Sequence, residues 1–202
     1  MDALKVEYYR GHRIEIHSDL FPMNPREWDN FGTMVCFHKR YDLGDKDNGF
    51  GSPEDLFIHL KKQKSFYLNL YLYDHSGITI KTSPFSCPWD SGQVGIIFID
   101  PEKARKEFRI KRINKKIKAK VFSLMEAEVK EYDSYLSGQY YGYIILDKNG
   151  ENINSCWNHD EIDFALSEAK SQIDSYVAIK PEKFRAIMKL ERKEGDVKRC
   201  MK

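Results

Sequence analysis

Three side chains near the middle of the chain are of the types that serve nucleophilic catalysis. His75 precedes Cys87 by 12 residues and Asp90 by 15. A cysteine becomes a strong nucleophile when a histidine accepts its proton and a carboxylate orients that histidine, so this trio suits a small hydrolase or nuclease. Cys87 lies, however, in a loop restrained by Pro84 and Pro88, where a cysteine more often packs as a small hydrophobic side chain. We therefore predict a non-catalytic protein and keep the enzyme as an alternative.

Metal-binding side chains are present, but their spacing forms no local ligand pattern. The candidate donors are His38, Asp45, Asp47, His75, Asp90 and His159. The four cysteines, at positions 36, 87, 156 and 200, include no Cys-x-x-Cys pair, which argues against a zinc ribbon. Segment 45–49 resembles the start of a calcium loop, but Gly49 stands where the next side-chain ligand belongs. Segment 91–95 has glycines without the lysine of a phosphate-binding loop, so we predict no metal and no cofactor.

The strongest charge feature is the segment from Lys103 to Lys120, which we call the basic segment. It carries a formal charge of +9 in a chain whose total is +2, so the remainder carries −7. Such a cluster raises the local concentration of anions and suits phosphates or an acidic protein surface. A solvated helix face without a partner is the competing interpretation. The predicted partner-binding residues are Lys103, Arg105, Lys106, Arg109, Lys111, Arg112, Lys115, Lys116, Lys118 and Lys120.

Two loops each contain a tryptophan followed by an aspartate, Trp28-Asp29 and Trp89-Asp90. The default expectation is that each aspartate caps or braces its loop while the tryptophan packs beside it, so that Trp89 behaves as a core residue. The alternative is a recognition surface, because tryptophan is enriched among the residues that dominate binding energy.

Three stretches of the sequence have specific residue patterns, and we call them the motif stretches. The first (24–45) contains Trp-Asp-Asn-Phe-Gly-Thr-Met-Val-Cys-Phe-His, the second (70–80) contains Tyr-Asp-His-Ser-Gly-Ile, and the third (84–95) reads Pro-Phe-Ser-Cys-Pro-Trp-Asp-Ser-Gly-Gln-Val-Gly. Over about Asn24 to Trp157 the chain resembles a widespread family of small proteins carried by bacteriophages and mobile elements. The resemblance implies a genomic setting rather than a mechanism, and proteins in that setting are often accessory factors that counter host defences. The motif residues singled out as a possible site are Trp28, Asp29, His75, Trp89, Asp90 and Ser91.

The elements that must position these residues follow from local patterns. Alternating or continuous apolar runs predict strands at 5–9, 13–17, 33–38, 66–73, 78–82, 94–99, 140–147 and 152–157. Helices are predicted at 53–62, after Pro101, over a long stretch ending at Gly138, at 160–176 and from Pro181. The long helix has an apolar stripe in which Glu128 is the exception, and Asp100 is predicted to cap the helix after Pro101.

Strands arranged in hairpins, with helices between and after them, favour an α+β fold over a doubly wound sheet. We predict one antiparallel sheet of about six or seven strands packed against several helices in a single domain over 1–180, with 181–202 as a C-terminal helix and charged tail. The chain has 202 residues and 41% hydrophobic content, which is sufficient for a core. The first ten residues lack the apolar core of a signal peptide, so we expect a cytoplasmic protein with no membrane partner.

These features together predict a non-catalytic phage or mobile-element accessory protein that binds a host nucleoprotein complex and inhibits a defence system such as a CRISPR effector. The class comes from the resemblance, and the binding surface comes from the charge distribution. The expected partner is a host protein or protein–RNA complex, with direct nucleic-acid binding as a further option. The alternatives are a small hydrolase or nuclease using His75, Cys87 and Asp90, and a simple RNA- or DNA-binding protein.

Overall fold

The computed structural model describes residues 2–178 and confirms the α+β class. The strands are β1 Lys5–Tyr9, β2 His12–Ser18, β3 Thr33–Cys36, β4 Phe66–Asp74, β5 Ile78–Lys81, β6 Ser91–Ile99, β7 Tyr141–Leu146 and β8 Asn152–His159. The α-helices are α1 Pro53–Gln63, α2 Pro101–Glu107, α3 Lys115–Leu136 and α4, to which residues 162–178 belong. A short 3-10 helix covers Pro25–Glu27. None of the helices described is both long and apolar enough to cross a membrane.

The eight strands form two antiparallel sheets of four, so the prediction of one sheet of six or seven strands is wrong. The first sheet has the order β1-β2-β7-β8, and the second has the order β3-β6-β4-β5. The reason is the pairing of β7, which follows α3 in the chain yet pairs with β2, from Arg13 opposite Leu146 to Ser18 opposite Tyr141. The first and last hairpins therefore form a sheet of their own.

The described chain divides into two compact units, each containing one sheet. Unit 1 comprises residues 2–19 and 140–178, and unit 2 comprises Leu20–Gln139. The single domain over 1–180 stays a prediction, because compact units do not by themselves show whether the chain unfolds in one step. The boundary predicted at 181, the C-terminal helix and the charged tail lie outside the described residues.

Unit 1 packs one face of its sheet against α4. Ile14 and Ile16 from β2 and Ile145 from β7 are buried with Ala169 and Ile173 of the helix. This packing follows from alternation in the strands and from apolar residues three or four positions apart in the helix.

Unit 2 is built around β6, whose residues from Val94 to Ile99 are buried as the apolar run predicted. Ile97 and Ile99 contribute to a core that includes Val121 and Met125 of α3. Ile96 and Phe98 contribute to a separate core with the leucines of α1, Leu56 and Leu60. The strand is therefore covered on both faces, which explains its continuous apolar sequence.

Two predicted helix starts have different outcomes. Ser52 caps α1, its side chain accepting a hydrogen bond from the backbone N–H of Asp55. Asp100 occupies the cap position of α2 but makes no capping hydrogen bond. Its carboxylate instead lies 3.0 Å from Nε2 of His59 and accepts a hydrogen bond from Ser65, because these two groups face it from α1 and the start of β4.

A glycine in β6 provides a test of this packing. A Cβ atom added at Gly95 would overlap the carbonyl oxygen of Val35 and lie 2.8 Å from Cα of Cys36. Because these are backbone atoms of the paired strand β3, Gly95→Ala should lower the free energy of unfolding by about 1–3 kcal/mol. Gly92→Ala, in the same strand with open space around it, should change that free energy by less than about 0.5 kcal/mol. Urea unfolding of both variants measures the difference, and equal stabilities would contradict the close packing of β3 on β6.

Candidate functional site

The basic segment spans α2, the following loop and the first turns of α3, all within unit 2. Nine of its ten basic side chains are exposed, and Lys103 is partly buried, with Nζ 2.8 Å from the carbonyl oxygen of Asn30. The loop after α2 contains Arg109, whose φ of 52° is incompatible with continuation of that helix. Asn114 then starts α3 by accepting a hydrogen bond from the N–H of Ile117. The charges therefore lie on short, well-defined elements.

The positive charge of this surface is not balanced by acidic neighbours. Within residues 2–178, none of the ten basic side chains forms an ion pair. Their contacts are with aromatic rings instead, since Lys118 lies 5.8 Å from the ring of Phe122 and Lys120 lies 5.3 Å from that of Phe108. An uncompensated cluster of this size produces a positive potential that attracts anions.

The start of α3 places lysines where they do not stabilise the helix. Lys115, Lys116 and Lys118 stand in the first turns, and the first turn contains no acidic residue. The N-terminal end of a helix carries a partial positive charge, so each cation near it costs about 0.3–1 kcal/mol. These lysines therefore do not serve the stability of α3, and an anionic partner would offset their mutual repulsion.

A second candidate site lies where the three motif stretches meet. They line a cavity of about 300 Å³ in unit 2, to which the first stretch contributes His38 and Arg40, the second Asp74, and the third Trp89 and Asp90. The first stretch is far in sequence from the other two, and the sheet brings them together because both β3 and β4 pair with β6.

Polar contacts hold this cavity in shape. Asp74 forms an ion pair with Arg40 and accepts a hydrogen bond from the hydroxyl of Tyr41 at 3.2 Å. The ring of His38 is stacked on that of Tyr41, with centroids 5.0 Å apart. The backbone N–H of Asp74 donates to the carbonyl oxygen of Asp90 at 2.8 Å. The first and third motif stretches are thus both attached to Asp74 at the end of β4.

The structure brings His75, Cys87 and Asp90 together, but in an order unlike that of a catalytic triad. Oδ2 of Asp90 lies 3.7 Å from Sγ of Cys87 and 3.5 Å from Nδ1 of His75, so the carboxylate stands between the other two. A cysteine nucleophile needs the imidazole beside its sulfur, with the carboxylate beyond it. No hydrogen bond joins Cys87 to His75 in the part of the chain that the structure describes. Ser91 donates to the carbonyl oxygen of Cys87, which closes the loop.

The expected packing of the tryptophans is wrong for Trp89, which is 92% exposed. The loop that follows Pro88 leaves this ring in solvent, where Trp89 lines the cavity between the motif stretches instead of entering the core. Trp28 is 39% exposed, and the side chain that braces its loop is Asn30, which donates to the carbonyl oxygens of Pro25 and Trp28 at 2.9 Å each. Asp29 makes no hydrogen bond among residues 2–178 and does not act as the brace.

Sequence reasoning missed a buried ionic network centred on Arg26, whose side chain is 1% exposed. Its Nε donates to Asp45 at 2.8 Å, Nη1 to Glu128 at 3.0 Å, and Nη2 to the carbonyl oxygen of Gly32 at 2.8 Å. Burial opposes the charged form of Arg26, but the hydrogen bonds and charges of the two carboxylates outweigh it and raise its pKa. The signal in the sequence was Glu128 itself, since an acid on an apolar helix stripe requires a buried cation.

The cysteines of the described residues are free thiols with different surroundings. Cys36, Cys87 and Cys156 form no disulfide, whereas Cys200 lies outside the described residues. Burial raises the pKa of Cys36 to about 12, which keeps its sulfur protonated and unreactive.

The metal-ligand candidates considered from the sequence remain scattered. Asp45 is bound to Arg26, and Asp90 faces His75 and Cys87. Among residues 2–178, one of these candidates, His159, does lie at ligand distance from two other donors, Cys156 and Glu168 in unit 1.

Comparison with known proteins adds no assignment, because no family model, curated protein or solved structure matches the chain. The resemblance of the motif stretches to a phage family therefore stays a prediction.

Removal of the buried cation tests the Arg26 network. Arg26→Met should lower the free energy of unfolding by about 3–5 kcal/mol, because the partly buried carboxylates of Asp45 and Glu128 would lose their shared counter-charge. Lys46→Met removes the exposed ion pair with Glu27 at 2.9 Å and should leave the unfolding free energy nearly unchanged. Chemical denaturation measures the free energy of unfolding of both variants. Similar losses in the two would show that Arg26 stabilises the protein no more than an exposed ion pair does.

Replacement of the exposed tryptophan tests whether Trp89 stabilises the fold at the cavity lined by the three motif stretches, which we call the motif cavity. Trp89→Ala should change the free energy of unfolding by less than about 0.5 kcal/mol, since the side chain is 92% exposed. Tyr132→Ala, which removes a buried ring of the same unit, should cost about 3–5 kcal/mol. A large loss of stability in Trp89→Ala would contradict the exposed position of the ring.

Proposed function

We propose that the protein is a non-catalytic binding protein that engages the nucleic acid of a host nucleoprotein complex through the basic segment. The observation that carries the proposal is the surface of ten basic side chains without an acidic partner among the described residues. Phosphate groups would supply the missing counter-charge, and nucleic acid presents them at regular spacing.

The placement of the charges favours a polyanion over a solvated helix face. On an ordinary solvated face, acids and bases alternate and pair, as Lys5 does with Asp163 and Lys170 with Glu7. In the basic segment, lysines instead occupy the electropositive end of α3, and the first turn contains no acidic residue. Aromatic rings at Phe66, Phe108 and Phe122 lie beside its lysines.

The biological setting of the proposal rests on the resemblance of the motif stretches to proteins of bacteriophages and mobile elements. A protein of that setting that occupies the nucleic-acid path of a CRISPR effector, or of another defence complex, would inhibit it without catalysis. The arrangement of His75, Cys87 and Asp90 supports the non-catalytic part, because the carboxylate occupies the place that a catalytic histidine would need.

Charge reversal tests the proposed surface. A variant with Arg109, Lys111, Arg112, Lys115 and Lys116 all changed to Glu should lose capture of the nucleoprotein complex from host lysate. A matched control with Lys39, Lys46, Lys61, Lys62 and Lys148 changed to Glu has the same change in net charge and should retain capture. The logarithm of the association constant should fall with the logarithm of salt concentration by roughly 0.7 to 0.9 per phosphate contacted. Thermal melts of both variants confirm folding.

Other outcomes of the same experiment point elsewhere. Capture that is independent of salt, or unchanged in the first variant, would contradict the basic segment as the interface. Free RNA or DNA bound without a copurifying protein would indicate the simple nucleic-acid-binding alternative. Hydrolysis of the captured nucleic acid that Cys87→Ser abolishes would establish the enzyme instead.

A further inference from the structure

Strand β8 of unit 1 contains an irregularity that places two potential metal ligands on one face. Tyr143 of β7 lies opposite Cys156, and Tyr141 lies opposite His159. A separation of two residues along β7 therefore corresponds to a separation of three residues along β8. Residues three apart in a regular strand point to opposite faces of the sheet. The extra residue, together with a φ of 72° at Asn158, turns Cys156 and His159 to the same side.

Glu168 of α4 completes a group of three different donors. One ligand atom from each of Cys156, His159 and Glu168 lies within 4.8 Å of those of the other two. Nδ1 of His159 is 3.7 Å from Oε2 of Glu168, which is longer than a hydrogen bond. The three side chains therefore approach one another without being hydrogen-bonded as a cluster.

The histidine of this group is buried, and one of its two ring nitrogens has no hydrogen-bond partner among the described residues. His159 is 8% exposed, and its Nε2 makes no hydrogen bond within residues 2–178. The unpaired atom is Nε2, whereas Nδ1 is the ring nitrogen that lies 3.7 Å from Oε2 of Glu168. Nδ1 is therefore the atom placed to bind an ion that Glu168 also binds. The ring is also held in place, because Tyr143 is stacked on it at 5.6 Å and Phe164 contacts it edge-on at 5.8 Å.

We propose that Cys156, His159 and Glu168 bind a zinc ion in unit 1. Thiolate, imidazole and carboxylate are all zinc ligands, and a sulfur donor disfavours calcium and magnesium. Ligands of a tetrahedral zinc are about 3.4–3.6 Å apart, and the 3.7 Å between Nδ1 of His159 and Oε2 of Glu168 is only slightly longer. Side-chain rotations that move the ligand atoms by about 1 Å would bring the three donors to that spacing. Water would then take the fourth position.

Tyr143 lies beside the cluster, where its ring positions His159 and its hydroxyl adds no charge. Burial raises the pKa of Tyr143 to about 12, with smaller contributions from Glu168 and Cys156. Its hydroxyl therefore stays protonated, and its ring serves to orient His159. The ligand set thus comprises two potential anions, the Cys156 thiolate and the Glu168 carboxylate, which together balance a divalent cation.

Cobalt titration of the metal-stripped full-length protein tests the proposal. We expect one equivalent of Co²⁺ to bind, with thiolate-to-cobalt charge-transfer absorption and the visible bands of tetrahedral cobalt, and Zn²⁺ to displace it. Cys156→Ser should remove the charge-transfer absorption, while Cys87→Ser and Cys200→Ser should retain it. His159→Gln and Glu168→Gln should weaken zinc affinity by about 100-fold or more.

Melting temperatures of the metal-free variants show whether each one folds. Glu168→Gln is the variant expected to disturb packing least, because the side chain is partly exposed and glutamine has the same shape as glutamate. Absence of the charge-transfer absorption from the wild-type protein would overturn the proposal. Persistence of that absorption in Cys156→Ser, its loss in Cys87→Ser or Cys200→Ser, or unchanged zinc affinity in a folded Glu168→Gln would overturn it as well.

Discussion

The buried guanidinium of Arg26 is the interaction on which unit 2 depends most. A charge with its side chain 1% exposed is tolerated only when carboxylates and carbonyl oxygens replace the water it has lost, and Asp45, Glu128 and Gly32 do so. The carboxylates are in turn held by backbone N–H groups, since Glu128 accepts from Phe31 at 2.6 Å and Asp45 accepts from Met34 at 2.9 Å. One cation thus attaches the loop before β3, the loop after it and helix α3 to one another.

Helix α3 has two halves with different roles. Its C-terminal half holds a loop and a strand of the sheet, because the hydroxyl of Tyr132 accepts a hydrogen bond from the N–H of Gly44 and Asp133 accepts one from the N–H of Ile80 in β5. Its N-terminal half carries exposed lysines that have no ionic partner among residues 2–178. Polar groups are therefore hydrogen-bonded in the C-terminal half, whereas the positive charges of the N-terminal half are left unbalanced, which is the distribution expected of the proposed anion-binding surface.

The chain also contains two polar clusters whose members sequence reasoning did not group as the structure does. In unit 2, Asp90 separates Cys87 from His75, and that geometry braces a loop around the motif cavity. In unit 1, a bulge in β8 joins Cys156 and His159 to Glu168. In both cases, the irregular backbone next to the strand decides which side chains meet, because a shift of one residue reverses the face to which a strand side chain points.

The sequence by itself determined the local elements and the charge distribution. Ser52 before Pro53, Gly138 after α3 and Asn149-Gly150 between β7 and β8 mark ends and turns that depend on a few neighbouring residues. Only the tertiary structure decided that the outer hairpins form their own sheet, that Glu128 is paired with Arg26, that Trp89 is exposed and that Cys156 and His159 face the same way. Strand pairing and burial join residues far apart in the chain, such as Arg26 and Glu128, and local patterns contain no record of which distant partner each residue will meet.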